Sequence, residues 1–156
     1  MQPQFYNFNG GDSYNGVWVQ MEGQLRTWVG SAGYDTIYVC KGGTIRDDQI
    51  LSYVKPNVEG GMIVPRYFFM ALLCKNSQGY KALGFWAEHN NMSGFEFWVT
   101  KFNKDLKSIS LSDFVVNIRE LENLTGIDFF CNLPDDIENR VENLNVENVR
   151  RAWGLK

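Results

Sequence analysis

The sequence predicts an α+β fold, a single domain over residues 1–156 in which a mixed, largely antiparallel sheet carries packed helices. Two patterns point to it. Trp18, Met21, Leu25, Trp28 and Val29 recur at three- and four-residue intervals, the period of a helix with one face in a core. Tyr67–Cys74 and Tyr80–Ala87 are apolar runs separated by Lys75-Asn76-Ser77-Gln78-Gly79, the pattern of an antiparallel hairpin. A chain of 156 residues that is 44% hydrophobic and 15% aromatic has enough apolar surface to bury a substantial core.

Each element follows in order. Residues 1–16 read as a loop, with turns at Asn9-Gly10-Gly11-Asp12-Ser13. The helix then runs to Gly30 or Gly33, glycines suited to closing it. Tyr34–Cys40 is rich in β-branched and aromatic residues and predicts a strand, and Lys41-Gly42-Gly43 turns the chain without P-loop spacing. Residues 44–62 read as polar and irregular, and Pro65 marks the start of the hairpin. In residues 93–102, Phe95, Phe97, Trp98, Val99 and Phe102 fit a strand packing an apolar face. They also fit a platform for unpaired bases, with Lys101, Lys104 and Lys107 as a small basic rim. Asn117-Ile118-Arg119-Glu120 resembles a capping box and Gly126 a left-handed cap, after which Ile127, Phe129 and Phe130 are expected in the core. Asp135, Asp136, Glu138 and Glu142 predict an acidic amphipathic helix with solvated carboxylates, and Asn145–Trp153 a last short helix.

Charge and special residues restrict the function classes. A net charge of −3 supplies no general basic field of the kind that coats nucleic acid. Cys40, Cys74 and Cys131 lack CxxC spacing, which argues against a zinc site. Cys40 and Cys74 lie in apolar runs and are expected to pack as small buried hydrophobes. The longest fully apolar run, Tyr67 to Cys74, is far shorter than the roughly 18 residues of a membrane span. The one histidine, His89, follows the second hairpin strand and reads as a surface-loop residue.

One constellation could carry chemistry. At about 100° per residue, Asn15, Glu22 and Arg26 share a narrow stripe on the helix. An amide oxygen suits a hard cation such as Mg²⁺, a carboxylate can orient water, and a guanidinium is shaped for phosphate. The same residues also read as an ordinary N-cap and an ordinary i,i+4 ion pair.

Met1-Gln2-Pro3-Gln4, the Asn15…Trp18…Glu22…Arg26 run, Ile37-Tyr38-Val39-Cys40-Lys41-Gly42-Gly43 and Ile63-Val64-Pro65-Arg66-Tyr67-Phe68-Phe69 together resemble the DNA/RNA non-specific endonucleases. So does the closing Ile118-Arg119-Glu120-Leu121-Glu122-Asn123-Leu124-Thr125-Gly126-Ile127-Asp128-Phe129-Phe130. The resemblance runs from residue 1 to about residue 142 and implies a ββα-metal nuclease-like fold, truncated at its N-terminus. It implies hydrolysis of DNA and RNA with a single divalent ion, Mg²⁺ or Mn²⁺, held by Asn15, with Glu22 fixing a water and Arg26 stabilising charge on the phosphate. Only Gly16 and Val17 separate Asn15 from Trp18, one residue fewer than the family pattern, so Asn9 stands behind Asn15 as an alternative ligand. The family's Asp-Arg-Gly-His motif, whose His is the general base, lies upstream of the Met1–Gln4 piece. The chain alone is therefore expected to be weak or inactive, with the missing N-terminal segment supplied separately or a homo-oligomer formed. The alternative is a catalytically dead nuclease-fold domain that binds nucleic acid or a protein partner. No membrane partner is implied, no signal peptide opens the chain, and an intact parent is compatible with secretion or a periplasmic home.

Overall fold

In the computed structural model, residues 2–11, 16–54, 61–90 and 110–156 are described. They group into two units interleaved along the chain, one drawn from Met1–Leu25, Gly43–Phe68 and Ala87–Ser110, the other from Arg26–Gly42, Phe69–Trp86 and Leu111–Lys156. No helix among the described residues is long and apolar enough to cross a membrane.

The apolar run at residues 67–76 becomes a strand because its side chains are covered on both faces. Phe68 to Cys74 are all buried, the unbroken pattern of a strand with packing on either side. Among the described residues, four strands form one sheet in the order β1-β4-β5-β6, where β1 is Thr36–Gly43, β4 is Tyr67–Asn76, β5 is Gly79–Glu88 and β6 is Val115–Val116. The predicted hairpin is β4 and β5, joined through Ser77-Gln78. β5 pairs antiparallel with β6 through Gly84↔Val116 and Phe85↔Val115.

A strand over Ile50–Val54 arises within residues 44–62, where an irregular stretch was expected, and Pro65, expected to start the hairpin, instead ends a further strand. β2 (Ile50–Val54) and β3 (Met62–Pro65) pair antiparallel through Ser52↔Val64, Tyr53↔Ile63 and Val54↔Met62. Leu51 to Val54 are exposed, so this pair shows little of the alternation that marks a half-buried strand.

Helix α1 is Tyr6–Asn9 and α2 is Val17–Val29. Trp18 and Trp28 are buried and Met21 is fully so, as predicted for the apolar face, while Leu25 is half-buried. Val29 departs from it, at 63% exposed, because it ends the helix and periodicity does not say where the covering layer stops. Helix α3 is Ile118–Thr125, α4 is Asp135–Glu142 and α5 is Val146–Ala152. The start of α3 is capped as predicted, the Asn117 side chain accepting from the Glu120 N–H at 2.7 Å, and Gly126 closes it at φ 74°. Ile118, Leu121, Phe129 and Val141 pack with Phe69, Ala71, Leu73 and Ala82 of the hairpin in one core. Ile127 is an exception to the expected burial, being 42% exposed, while Phe129 is buried and Phe130 partly so.

Candidate functional site

The start of α2 is set by a close backbone approach. The Gly16 N–H donates to the Gly10 carbonyl at 3.2 Å, and the Gly16 carbonyl accepts from the Gln20 N–H at 3.1 Å. A Cβ at Gly16 would collide with the Phe8 carbonyl oxygen and lie within 2.7 Å of Asn9 C and Gly10 N. Only glycine permits this contact, which lays the end of α1 against the first turn of α2.

Asn15 lies outside the described residues, as do the aromatic run at 93–102 and Lys101, Lys104 and Lys107. Asn9, the alternative ligand, is exposed at the end of α1. Glu22 is half-buried on α2, six residues beyond Gly16 and so about 9 Å further along the helix axis. Arg26 is exposed one turn beyond Glu22, in the last turns of the helix. The buried indole of Trp18 and the fully buried Met21 fix the helix's rotation about its axis.

His89 was expected on the surface and is 2% exposed. Its Nε2 accepts the Phe5 N–H at 2.7 Å, so its proton resides on Nδ1, which donates to the Pro65 carbonyl at 2.8 Å. The ring stacks on Phe5 with centroids 4.5 Å apart and meets Phe8 and Phe68 edgewise, each at 4.9 Å. Burial pushes its pKa below the ordinary histidine value, the Pro65 hydrogen bond opposing this. Both ring nitrogens are thus engaged in holding the N-terminal segment against the end of β3. A histidine after a polar-ended strand gives no sequence signal of this role, because the three rings around it come from two distant stretches, Phe5 and Phe8 from one and Phe68 from the other.

A second polar cluster was not foreseen. Glu142, predicted to be solvated, is 1% exposed. Arg119 forks between two carboxylates, Nη1 to Glu122 Oε2 at 2.9 Å and Nη2 to Glu142 Oε2 at 2.6 Å. Glu122 Oε1 accepts the Phe129 N–H at 2.9 Å, and Glu142 Oε1 is buried with no hydrogen-bond partner among the described residues. Oxygens of Glu122, Asp128 and Glu142 lie within 4.8 Å of one another. Burial, followed by the neighbouring Glu122, pushes Glu142 up to about 7 against the pull of Arg119. The trio has one guanidinium between three carboxylates, and a proton on Glu142 relieves part of the remaining charge. The helical period of α4 turns Glu142 about 100° from Val141 and about 140° from Ile137, so it does not set Glu142 on the apolar side.

Of the cysteines, Cys74 is buried as expected, whereas Cys40 on β1 is exposed, contrary to the expectation that it packs as a buried hydrophobe. All three cysteines are free.

The arrangement is that of an α+β protein whose second helix carries a carboxylate and a guanidinium one turn apart. The model of the DNA/RNA non-specific endonuclease family matches residues 1–136, and the chain belongs to that family. A solved structure entitled "Crystal structure of the EndoG/EndoGI complex: Mechanism of EndoG inhibition" is similar at TM-score 0.54 and 16% identity, over 83% of this chain and 49% of that one. The chain thus spans about half of the protein it matches, and at this identity the likeness concerns the fold. No curated protein matches the chain.

Proposed function

We propose that this chain supplies the metal-binding and phosphate-holding half of a sugar-non-specific nuclease, acting on DNA and RNA, and that it is weak or inactive alone. The family is one of metal-dependent nucleases. Asn15, or Asn9 in its place, would hold a single Mg²⁺ or Mn²⁺. The donor set fits such an ion: amide and carboxylate oxygens are hard ligands, and Mg²⁺ keeps several waters and needs few protein groups. Bound there, the ion supplies Lewis-acid polarisation of a phosphoryl oxygen and stabilises the leaving oxygen. Glu22 would accept a hydrogen bond from water beside the phosphate and hold it in line. Arg26 would present its planar fork to the phosphate oxygens and offset the charge that develops on them.

The observation supporting the weak-activity reading is the state of His89. It is the sequence's one histidine, and its two ring nitrogens are occupied by the Phe5 N–H and the Pro65 carbonyl. A positioned general base contributes about 10²–10⁴-fold, and no imidazole of this chain is available for that task.

The test is cleavage of plasmid DNA and of RNA with Mg²⁺ or Mn²⁺, by the chain alone and with an added segment carrying an Asp-Arg-Gly-His motif. Cutting that needs both metal and segment, and is lost on Asn15→Ala, is the expected result. No cutting in either sample, with the segment shown to bind, overturns it in favour of a nuclease-fold domain that works by binding.

A further inference from the structure

Within one unit of the fold, charged side chains converge from three places: Arg119 and Glu122 on α3, Asp128 on the segment after Gly126, and Glu142 at the last position of α4. Oxygens of the three carboxylates lie within 4.8 Å of one another, although like charges repel. Arg119 reaches Glu122 and Glu142. Many acidic clusters on protein surfaces need no ligand, but this one has a member removed from water. Glu142 is 1% exposed, and its Oε1 is buried without a hydrogen-bond partner among the described residues. A carboxylate in that position carries a desolvation cost that a hydrogen bond or a metal normally offsets. It also stands at the C-terminal end of α4, where the helix dipole disfavours negative charge.

We propose that Glu122, Asp128 and Glu142 bind a divalent cation of calcium's size, at a site separate from the one proposed for Asn15 and independent of nuclease activity. Charge and dimension select the ion. Three carboxylates beside one guanidinium leave two negative charges, which a divalent cation cancels. Ca²⁺ binds oxygen at about 2.3–2.6 Å, so oxygens on opposite sides of it stand about 4.6–5.2 Å apart and neighbouring ones closer, which admits the spacing of this trio. Mg²⁺ binds at about 2.0–2.1 Å in a strict octahedron, spans no more than about 4.2 Å and tolerates less spread. None of the three ligands is a histidine or cysteine, the donors that zinc prefers. A carboxylate oxygen has two lone pairs, so the hydrogen bonds that Glu122 already accepts leave it room for an ion. Asp128 is exposed and gives the ion a path from solvent, with water completing the shell. The ion takes the place of the proton that relieves the trio in its absence. It ties the end of α4 to α3 and to the segment carrying Phe129, whose N–H donates to Glu122 Oε1.

Calorimetric titration of CaCl₂ into the intact chain tests this, with Asn9→Ala/Asn15→Ala as the parent so that both amides of the other proposed site are gone. One Ca²⁺ per chain is expected, with Mg²⁺ bound about tenfold or more weakly. Ca²⁺ is also expected to raise the urea midpoint of this parent, because it binds the folded chain and not the unfolded one. Asp128→Ala removes an exposed ligand and is expected to weaken Ca²⁺ about tenfold or more, the loss of a charged ligand. Its urea midpoint in EGTA is expected to match the parent's, which separates lost binding from lost folding. Asp135→Ala removes an exposed charge of α4 outside the trio and is expected to bind Ca²⁺ as the parent does. No Ca²⁺ binding at millimolar concentration overturns the site, as does equal affinity in Asp128→Ala and the parent. Equal losses in Asp128→Ala and Asp135→Ala, or tighter binding of Mg²⁺ than of Ca²⁺, overturn it as well.

Discussion

His89 and Glu142 are titratable groups that folding has removed from water, and they respond to pH in opposite directions. His89→Leu leaves the Phe5 N–H and the Pro65 carbonyl without their partner. Orphaning two buried groups is expected to lower stability by about 2–4 kcal/mol, read as a fall in the urea midpoint. The folded pKa of His89 lies below its unfolded value near 6.5, so the unfolded chain binds more protons as the solution acidifies. Its contribution is complete above about pH 6.5 and declines as pH falls toward the folded value. Glu142 is the reverse, with a folded value of about 7 against an ordinary 4.5. Its stabilisation is complete below pH 4.5 and is lost as pH rises through about 7. Glu142→Gln is therefore expected to make the urea midpoint rise more steeply with pH across this interval, and His89→Gln to make it rise less. Parallel pH profiles for the two variants would refute the assignment.

At the scale of elements, the first turn of α2 depends on one glycine. Gly16→Ala forces a methyl group into the Phe8–Gly10 backbone, so the end of α1 must move away from α2. Overpacking of this kind costs about 1–3 kcal/mol. The same displacement is expected to weaken Mg²⁺ or Mn²⁺ binding, and titration calorimetry beside a urea curve separates the two effects. Unchanged metal affinity in a destabilised variant would mean that the geometry around Gly16 is structural alone. The caps of α3 were legible because Asn117, Glu120 and Gly126 act through their own backbone neighbours. Asn117→Ala is expected to cost about 1 kcal/mol in the same denaturation assay. Strands β2 and β3 were not legible, since their pairing joins residues eight or more apart and buries little of β2.

For the whole molecule, a net charge of −3 leaves little long-range attraction for a polyanion. Retention of DNA or RNA is expected to depend on the divalent ion, and a filter-binding assay with chelator should abolish it. Retention that survives chelation and falls steeply with salt would instead mark a basic surface acting without metal. Within the unit that holds the hairpin, the same long-range packing that makes one carboxylate a buried member of the Arg119 cluster leaves β1 exposed.

The chain's family, its α+β class, the hairpin, the capped α3 and the helical stripe of Glu22 and Arg26 could be read directly from residue order. Those features depend on periodicity, caps and motifs that act over a few neighbouring positions. The burial of His89 and Glu142, the exposure of Cys40 and Val29, and the pairing of β2 with β3 depend on which distant segments arrive beside them. A ring nitrogen takes its partner, and a carboxylate its pKa, from neighbours up to 84 residues away in the chain, as Phe5 and His89 do. Local spacing carries no record of such neighbours, because packing chooses them when the separate stretches come together.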